Sequence, residues 1–305
     1  MGTPTPPTSS PTTEPHGLTA GPRRALLRWW ARHRRDLPWR HTRDPWAVLV
    51  SEVMLQQTQV DRVAPRWEQF MARFPDPTAA VAAGVGAVLD EWAGLGYNRR
   101  AVTLHAAAVA CVEHHQGQVP TDMDGLLALP GVGPYTARAV LAFAYHQDVA
   151  VVDTNVGRIL ARVAGRRLRP TEAQAMADGS VPPGDGWEWN QAVLDFGSAV
   201  CTARNPRCVE CPLRRWCSWV GGPDEDPARG SAGVTTRQSR FEGSDRQGRG
   251  RLVDALRNVA AIDAGDLPGV AGWPDDPERA RRVADGLVAD GLALPGAEGG
   301  LRRAD

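Results

Sequence analysis

Apolar residues recur every three to four positions along most of the first 200 residues, which is the spacing of amphipathic α-helices. The pattern predicts a basic helix over 23–35, with Leu26, Leu27 and Trp30 on its inner face, and a second helix from Pro45 to Val60. Further helices are predicted over 62–73, 77–92, 98–115, 123–128, 134–145, 154–164, 171–178 and 187–201. Strand-like alternation is confined to 149–152, which is too short to found a sheet. The predicted fold class is therefore all-α up to the cysteines that follow.

The composition of the remaining segments predicts how the chain is divided. The start of the chain is rich in Pro, Thr and Ser, so residues 1–22 are predicted to be a disordered tail rather than a targeting signal. We interpret 23–220 as the core and 221–236, rich in Gly, Pro and acidic residues, as a linker. Residues 237–305 predict a small module with helices at 250–258 and 278–292 and then a hairpin, as in winged-helix units. No apolar run reaches membrane length, and we expect a cytoplasmic protein with no membrane partner.

The charged residues of the chain say more about the reactions it can catalyse than about the partners it binds. The formal net charge is zero, so electrostatics alone does not indicate a nucleic-acid partner. All 35 basic residues are arginine. Because no side-chain amine is present, the chain has no lysine that could form a Schiff base with a sugar.

Four cysteines lie within a short segment and suggest a metal centre. Cys201, Cys208, Cys211 and Cys217 have the spacing C-x6-C-x2-C-x5-C, and four thiolates this close in sequence can hold a [4Fe–4S] cluster or a structural zinc ion. Zinc ribbons usually have two C-x2-C pairs, whereas only one is present here. Disulfides are the third possibility. The spacing favours the [4Fe–4S] cluster, and the remaining cysteine, Cys111, is predicted to be buried in a helix.

A glycine-rich turn is predicted between two helices, in the string L-P-G-V-G-P-Y-T-A. Gly131 and Gly133 permit positive φ and close approach of another backbone. Pro134 suits the first position of the following helix, whose amide groups and positive dipole end favour a phosphate. An ordinary tight turn is the alternative, but the whole string favours a phosphate-binding helix–hairpin–helix, with Leu129, Gly131, Val132 and Gly133 as its contact residues.

Two acidic residues are candidates for acid–base chemistry. Asp153 stands where an N-cap is expected, just before the helix 154–164, and capping alone would account for it. Glu52 is the only charged residue between Asp44 and Asp61, so apolar surface is expected around it, which favours a protonated carboxyl. The alternatives for Glu52 are a surface position or a core pair with Arg40.

These motifs together resemble the MutY family of adenine DNA glycosylases, in the helix–hairpin–helix superfamily that includes endonuclease III. The resemblance covers about residues 25–220. The matching strings are Leu37–Arg40, Glu52–Val60, Trp92–Tyr97, the hairpin, Asp153–Val156 and the four cysteines.

The resemblance implies a monomeric enzyme that flips adenine out of double-stranded DNA, where the adenine is mispaired with 8-oxoguanine or guanine, and excises it. It implies that Glu52 protonates the departing base and that Asp153 stabilises the sugar cation. The other implied roles are catalytic support by Asn155 and Tyr135, a base pocket of Trp39, Arg40, Leu55 and Gln191, and DNA wedging by Gln57 and Tyr97. Endonuclease III-type enzymes carry a catalytic lysine at the position of Tyr135, so we expect base excision without strand nicking.

The sequence leaves other functions open. The enzyme could excise thymine or uracil opposite guanine, or the chain could be a DNA-binding iron–sulfur protein without catalysis, or a zinc-stabilised interaction module. The module 237–305 is too short for the Nudix-like domain usual in the family. Its arginine-rich start, residues 240–251, is either a phosphate-contacting segment or a solvated linker.

Overall fold

The structure is a computed structural model that describes residues 17–222, 224–231 and 240–304. These residues form thirteen α-helices and three short strands, so the all-α prediction is confirmed. The helices are α1 (Ala20–His33), α2 (Pro45–Leu55), α3 (Val60–Arg73), α4 (Pro77–Glu91), α5 (Arg99–His114), α6 (Met123–Ala128), α7 (Pro134–Phe143), α8 (Thr154–Ala164), α9 (Pro170–Asp178), α10 (Gly186–Ala199), α11 (Asp245–Leu256), α12 (Leu267–Ala271) and α13 (Pro277–Ala289). The strands are β1 (Ala261–Ile262), β2 (Leu294–Pro295) and β3 (Leu301–Arg302). None of the helices in the described ranges combines the length and apolar character that a membrane span needs.

The chain divides into two compact units, each built from two separate stretches of sequence. The cysteine unit comprises the described residues of Met1–Arg35 and Asp148–Thr235, and the hairpin unit comprises those of Asp36–Gln147 and Thr236–Asp305. Residues 1–16 of the predicted tail and 232–236 of the predicted linker lie outside the described residues. The predicted tail is too long, because α1 already begins at Ala20 and Leu18 is buried.

The cysteine unit is a cluster of four helices. α10 packs against α1 and α8, and α8 also packs against α9. On α1 the predicted inner-face residues Leu26 and Trp30 are buried, and the indole Nε1 of Trp30 donates to Asp195 on α10 at 2.9 Å. Asp195 also accepts from Nε of Arg35 at 2.7 Å. These bonds fix the end of the N-terminal stretch on the helix that leads to the cysteines.

The first part of the hairpin unit surrounds α2. This helix is buried from Trp46 to Met54 and packs against α3, α5 and α7. The prediction that it continues to Val60 is wrong, because the helix ends at Leu55 and Gln57 adopts a φ of 58°. The predicted helix 77–92 is kinked, since Gly84 has a φ of 82° and a ψ of 162°.

The second part of the hairpin unit is the C-terminal module, residues 240–304. Its helices α11, α12 and α13 pack on one another beside an antiparallel sheet with the strand order β1-β3-β2. The register pairs Ile262 with Leu301 and Leu294 with Arg302. The predicted hairpin is therefore confirmed as β2–β3, whereas β1 and α12 were not predicted. The winged-helix character of the module stays a prediction.

Candidate active site and cysteine loop

The turn between α6 and α7 has the local structure that its sequence predicts. Leu129 and Val132 are buried, and the amide of Val132 donates to the carbonyl of Leu129 at 3.1 Å. Gly131 has a φ of 75°, a left-handed conformation that favours glycine. Gly133 is the N-cap of α7 and Pro134 its first residue. The first-turn amides of α7, which have no intrahelical acceptor, thus lie at this turn and can receive a phosphate.

α2 places Glu52 in an apolar environment. The helix begins with Asp44 as N-cap, whose carboxylate accepts from the amide of Ala47 at 2.7 Å. Every residue from Trp46 to Met54 is buried, and Glu52 is only 5% exposed. The alternative of a surface glutamate is therefore wrong. A carboxyl so placed is shielded from bulk water and can serve as a proton donor to a bound group.

Three of the four predicted base-pocket residues belong to the same unit as Glu52. Trp39 lies in a 3-10 turn, Pro38–Arg40, that packs against α2. Its ring is buried and packs edge-to-face against Trp67, with ring centroids 6.1 Å apart. Arg40 and Leu55 are half-buried. The fourth residue, Gln191, is buried on α10 in the cysteine unit.

The two predicted wedge residues share an unusual backbone conformation. Gln57 has a φ of 58° and Tyr97 a φ of 48°, although neither is glycine. Left-handed backbone at such residues costs free energy and is maintained only where surrounding contacts determine it. Both residues are exposed, Tyr97 to 40%, so the strained positions present their side chains to solvent.

Arg100 supplies the contacts that hold both of these loops. Its guanidinium donates to the carbonyls of six residues and to the hydroxyl of Thr58, at 2.5 to 3.4 Å; the carbonyl acceptors are Val53, Met54, Gln56, Leu95, Gly96 and Tyr97. It also lies over the rings of Trp92 and Tyr97, 5.4 and 5.5 Å from their centroids. Burial lowers the pKa of Arg100 to about 10. The sequence reasoning missed this residue, whose one local signal is its place just after the Gly-Tyr turn.

Asp153 is the N-cap of α8 and is half-buried. One carboxylate oxygen accepts from the amide of Val156 at 2.8 Å, and the other accepts from Nδ2 of Asn155 at 2.7 Å. Burial raises the pKa of Asp153 above its usual range, while these two hydrogen bonds and the positive charge of Arg158 oppose the rise. Two of the predicted catalytic residues, Asp153 and Asn155, are therefore hydrogen-bonded to each other.

Arg158, one turn further along α8, connects this pair to the cysteine loop. It is buried, and its Nη2 donates to Oδ1 of Asn155 and to the carbonyl of Gly197, both at 2.7 Å. Its Nε donates to the carbonyl of Cys201 at 2.7 Å. The sequence reasoning missed Arg158. The signal for it was an arginine three residues after Asn155 and directly before the apolar residues Ile159 and Leu160.

Asn190 holds the extended segment that leads into Asp153. Its Oδ1 accepts from the amide of Val151 at 2.8 Å, and its Nδ2 donates to the carbonyls of Val149 and Gly186 at 2.9 and 2.7 Å. The bonds to Val149 and Val151 take the place of the inter-strand hydrogen bonds that this extended segment would form in a sheet. It was missed because a single asparagine in a helix has no distinctive sequence signal.

The cysteine loop is fixed to α8 by Arg162. This arginine is 2% exposed, and its Nη1 lies 3.3 Å from Sγ of Cys201 and donates to the carbonyl of Thr202 at 2.7 Å. Its Nη2 and Nε bind the carboxylate of Asp226 at 2.6 and 3.1 Å. Its guanidinium also stacks 4.6 Å from the ring of Trp219. A buried arginine paired in this way positions the loop on both sides of the cysteines.

The chemistry of the loop fits an iron–sulfur cluster. All five cysteines are free, so the disulfide alternative is wrong, and Cys111 is fully buried as predicted. The four loop cysteines are only partly exposed, and burial raises the pKa of the Cys211 thiol to about 11. Within the described ranges no three His, Cys, Asp or Glu side chains are gathered to hold one metal ion. In a [4Fe–4S] cluster each thiolate binds a different iron, so the four ligands surround the cluster and do not converge on a single ion. Cys201, Cys208, Cys211 and Cys217 would be its ligands.

Comparison with known proteins identifies both motifs. Residues 50–182 match the HhH-GPD superfamily of base excision DNA repair proteins, and residues 201–217 match the iron-sulfur binding domain of endonuclease III. The second match supports the [4Fe–4S] cluster over zinc.

Relatives match nearly the whole chain. The chain is 43% identical over 282 residues to the adenine DNA glycosylase of Mycolicibacterium smegmatis, covering 90% of this chain and 93% of that protein. It is 41% identical over 301 residues to the adenine DNA glycosylase of Mycobacterium tuberculosis, covering 93% and 95%. Among solved structures, a thermostable thymine-DNA glycosylase matches with a TM-score of 0.61 and 29% identity, over 65% of this chain and 94% of that one. The chain is therefore a base excision repair glycosylase with an iron–sulfur cluster, and it belongs to the adenine DNA glycosylase family.

Proposed function

We propose that this enzyme excises adenine mispaired with 8-oxoguanine or guanine in double-stranded DNA and leaves an abasic site. The observation that carries the proposal is the single carboxyl buried in the apolar helix α2, that of Glu52. Adenine is a poor leaving group as an anion, so its departure gains most from a proton donor shielded from water. The two mycobacterial relatives, named as adenine DNA glycosylases, support the same substrate.

In the proposed reaction Glu52 transfers its proton to N7 of the extruded adenine as the N-glycosidic bond breaks. The bonding electrons leave with the neutral base, and the sugar is left as an oxocarbenium-like cation. Asp153, held by Asn155 and the first turn of α8, stabilises that cation as a carboxylate. Water then adds to the sugar carbon and loses a proton to the Glu52 carboxylate, which completes the hydrolysis and restores the proton donor. Tyr135, at the start of α7, is proposed to support the carboxyls. Trp39, Arg40, Leu55 and Gln191 are proposed to hold the base.

The cluster acts structurally in this scheme. Cys201, Cys208, Cys211 and Cys217 would hold it, and it would tie together the two ends of the loop; Arg158 and Arg162 contact this loop at Cys201. It supplies no electron to the hydrolysis, since neither the base nor the sugar changes oxidation state.

The absence of lysine supports a monofunctional enzyme. Strand cleavage of the endonuclease III type uses a lysine amine that forms a Schiff base with the sugar, and the chain contains no lysine. We therefore expect that borohydride treatment during the reaction traps no covalent complex between enzyme and DNA.

Thymine opposite guanine is the second candidate substrate. A specific observation favours it, because a thymine-DNA glycosylase shares the fold at a TM-score of 0.61. A panel of duplexes containing adenine opposite 8-oxoguanine or guanine, and thymine or uracil opposite guanine, separates the two. Faster release of thymine than of adenine would overturn the proposed substrate.

Two variants test the proposed catalytic roles. Glu52→Gln preserves the shape of the side chain but removes the proton donor, and we expect single-turnover excision to fall about 100- to 10,000-fold with DNA binding retained. Asp153→Asn removes the negative charge and should cause a loss of similar order. The matched control is Glu113→Gln, an exposed glutamate on α5. Equal excision by Glu52→Gln and the control would refute the assignment.

A further inference from the structure

A second face of α1 lines a cleft in the surface of the cysteine unit. The inner face of this helix, with Leu26 and Trp30, is buried. The second face has the i, i+3, i+4, i+7 and i+8 spacing of one side of a helix, and it consists of Ala25, Arg28, Trp29, Arg32 and His33. The cysteine loop forms the other wall with Pro212, Arg215 and Trp216. The space between the two walls has a volume of about 500 Å³, and we name it the α1 cleft.

The loop wall of the α1 cleft is seated directly on α1. Trp216 packs against Gly21, where an added Cβ would lie 3.0 Å from the indole ring. Trp216 is half-buried and also packs against the core of the cysteine unit. The 3-10 turn Arg214–Trp216 stands between Cys211 and Cys217, so both ends of this wall would be held by ligands of the cluster. The cleft is therefore a built feature of the unit.

The cations of the α1 cleft have no acidic partner in the part of the chain that the structure describes. Arg28, Arg32 and Arg215 are exposed, and their guanidinium groups form no hydrogen bond or ion pair with the described residues. By contrast, Arg162 and Arg166 of the same unit each pair with a carboxylate. No Asp or Glu lines the cleft. Three uncompensated positive charges around one concave space favour an anionic ligand.

The two indole rings of the cleft each have one face covered. The imidazole of His33 stacks parallel to Trp29, with ring centroids 5.0 Å apart, and its Nδ1 donates to the carbonyl of Trp29 at 2.7 Å. The guanidinium of Arg215 lies over the ring of Trp216, 3.7 Å from its centroid. Grooves for single-stranded nucleic acid rely on open aromatic faces on which bases stack. Arg and Trp are also the side chains enriched at the energetic centres of protein interfaces. The covered rings favour a protein ligand over a nucleic acid.

The α1 cleft lies apart from the catalytic pair Asp153 and Asn155. On α10, Asp195 accepts a hydrogen bond from Trp30 of α1. Gly197, two positions further, lies against α8, because an added Cβ there would come within 2.6 Å of Cβ of Asn155. Two positions along a helix differ by about 200° in direction, so α1 and α8 pack on different sides of α10. A ligand in the cleft therefore does not occupy the place of the extruded nucleotide.

We propose that the α1 cleft binds an acidic segment of a partner protein, and that this segment also carries a bulky apolar side chain. Carboxylates of the segment pair with Arg28, Arg32 and Arg215, whose forked donors match a carboxylate. A guanidinium stacked on an indole ring, as that of Arg215 is, keeps its edge donors available. The apolar side chain lies between Trp29 and Trp216, in a space of the size that takes a small ligand.

The two kinds of contact have separate consequences. Attraction between the arginines and the acidic segment speeds the encounter, and it weakens as salt is added. The apolar contact with the indole rings selects among acidic sequences, since a segment without a bulky side chain leaves the space between the walls unfilled. Because the cleft is separate from Asp153, a partner bound there can recruit the enzyme while the active site remains open to DNA.

Fluorescence anisotropy with the full-length, iron-loaded protein tests the proposal. The probe is a short dye-labelled synthetic peptide that is rich in Asp and contains one Phe. Two comparison peptides replace every Asp by Asn, or the Phe by Ala. We expect saturable binding of the first peptide and weaker binding of both others. The double variant Arg28→Met/Arg32→Met should raise Kd for the first peptide about 3- to 30-fold, because two ion pairs are lost.

The matched control is the double variant Arg34→Met/Arg167→Met, which removes two exposed arginines of the same unit that do not line the cleft. It has the same net charge and should bind the peptide as wild type does. Equal losses in the two double variants would overturn the proposal, since they indicate attraction by net charge alone. Equal binding of the Phe and Ala peptides would overturn the apolar contact. Unfolding midpoints matched to wild type show that the variants fold.

Two further measurements distinguish the cleft from a nucleic-acid site. Dye-labelled oligothymidine is titrated in parallel with the peptide. Tighter binding of this strand than of the peptide, lost in Arg28→Met/Arg32→Met, would overturn the proposal in favour of single-stranded nucleic acid. Adenine excision by the same variant should equal that of wild type. A loss of excision would make the cleft part of the DNA-binding surface and would overturn its role as a separate site, whereas failure of excision by wild type refutes the proposed function alone.

Discussion

Replacement of Arg158 by methionine should weaken the cysteine unit and shift the titration of Asp153. Methionine fills a similar volume but leaves the buried carbonyl of Gly197 without its donor, and it leaves the part-buried carbonyl of Cys201 with only the 3.5 Å hydrogen bond from Nη1 of Arg162. A buried acceptor left unsatisfied costs about 1–3 kcal/mol. For the two together we expect a loss of about 2–4 kcal/mol in the free energy of unfolding. Thermal unfolding should show this loss of stability as a lower midpoint temperature.

The pH profile separates the catalytic effect of this change from the structural one. The charge of Arg158 opposes the rise in the pKa of Asp153 that burial causes, so the pKa rises further when that charge is removed. The proposed role requires a carboxylate. The variant should therefore lose single-turnover activity at a higher pH than wild type as the solution is acidified, and the midpoint of the acid limb is the quantity to compare.

The matched control is Arg166→Met, an exposed arginine just beyond the end of α8 that pairs with Glu172. It should leave both the unfolding midpoint and the acid limb near the wild-type values. An acid limb of Arg158→Met that stays in place or moves to lower pH would refute the reasoning about Asp153. A fall in stability no larger than that of the control would refute the reasoning about the two carbonyls.

Three other changes have expected outcomes. Arg100→Met should lower the free energy of unfolding by about 2–4 kcal/mol, and Arg100→Lys should not restore it because an ammonium cannot span the same set of carbonyls; denaturant unfolding measures both. Cys211→Ser should abolish the absorption near ~400 nm that sulfur-ligated iron gives, together with bound iron and sulfide, while Cys111→Ser keeps them. Arg257→Met should loosen the C-terminal module, since the bonds to the carbonyl of Leu89 are lost, and limited proteolysis should then release the module faster than from wild type. Unchanged values in any of these assays would contradict the role assigned to that residue.

Periodicity was enough to predict most helices, and short motifs were enough to name candidate site residues, because both patterns are encoded locally. The helix 123–128 and the helix 154–164 agree with α6 and α8 to the residue. The end of α2 was not predictable in this way, since the loop that follows Leu55 is held by contacts that are distant in sequence, among them those of Arg100, more than 40 residues later. Arg158 and Asn190 were missed for the same reason, as their partners are distant in sequence. The short strand β1 was missed because two residues carry no alternation.

Gln57 and Tyr97 have left-handed backbone, and hydrogen bonds from one half-buried arginine, Arg100, hold both loops through contacts made within the chain. The free-energy cost of this backbone conformation is therefore met on folding, so the predicted wedging of Gln57 and Tyr97 into DNA would not draw on binding energy to form it. A preorganised surface favours rapid testing of many base pairs, because no loop has to become ordered at each base pair.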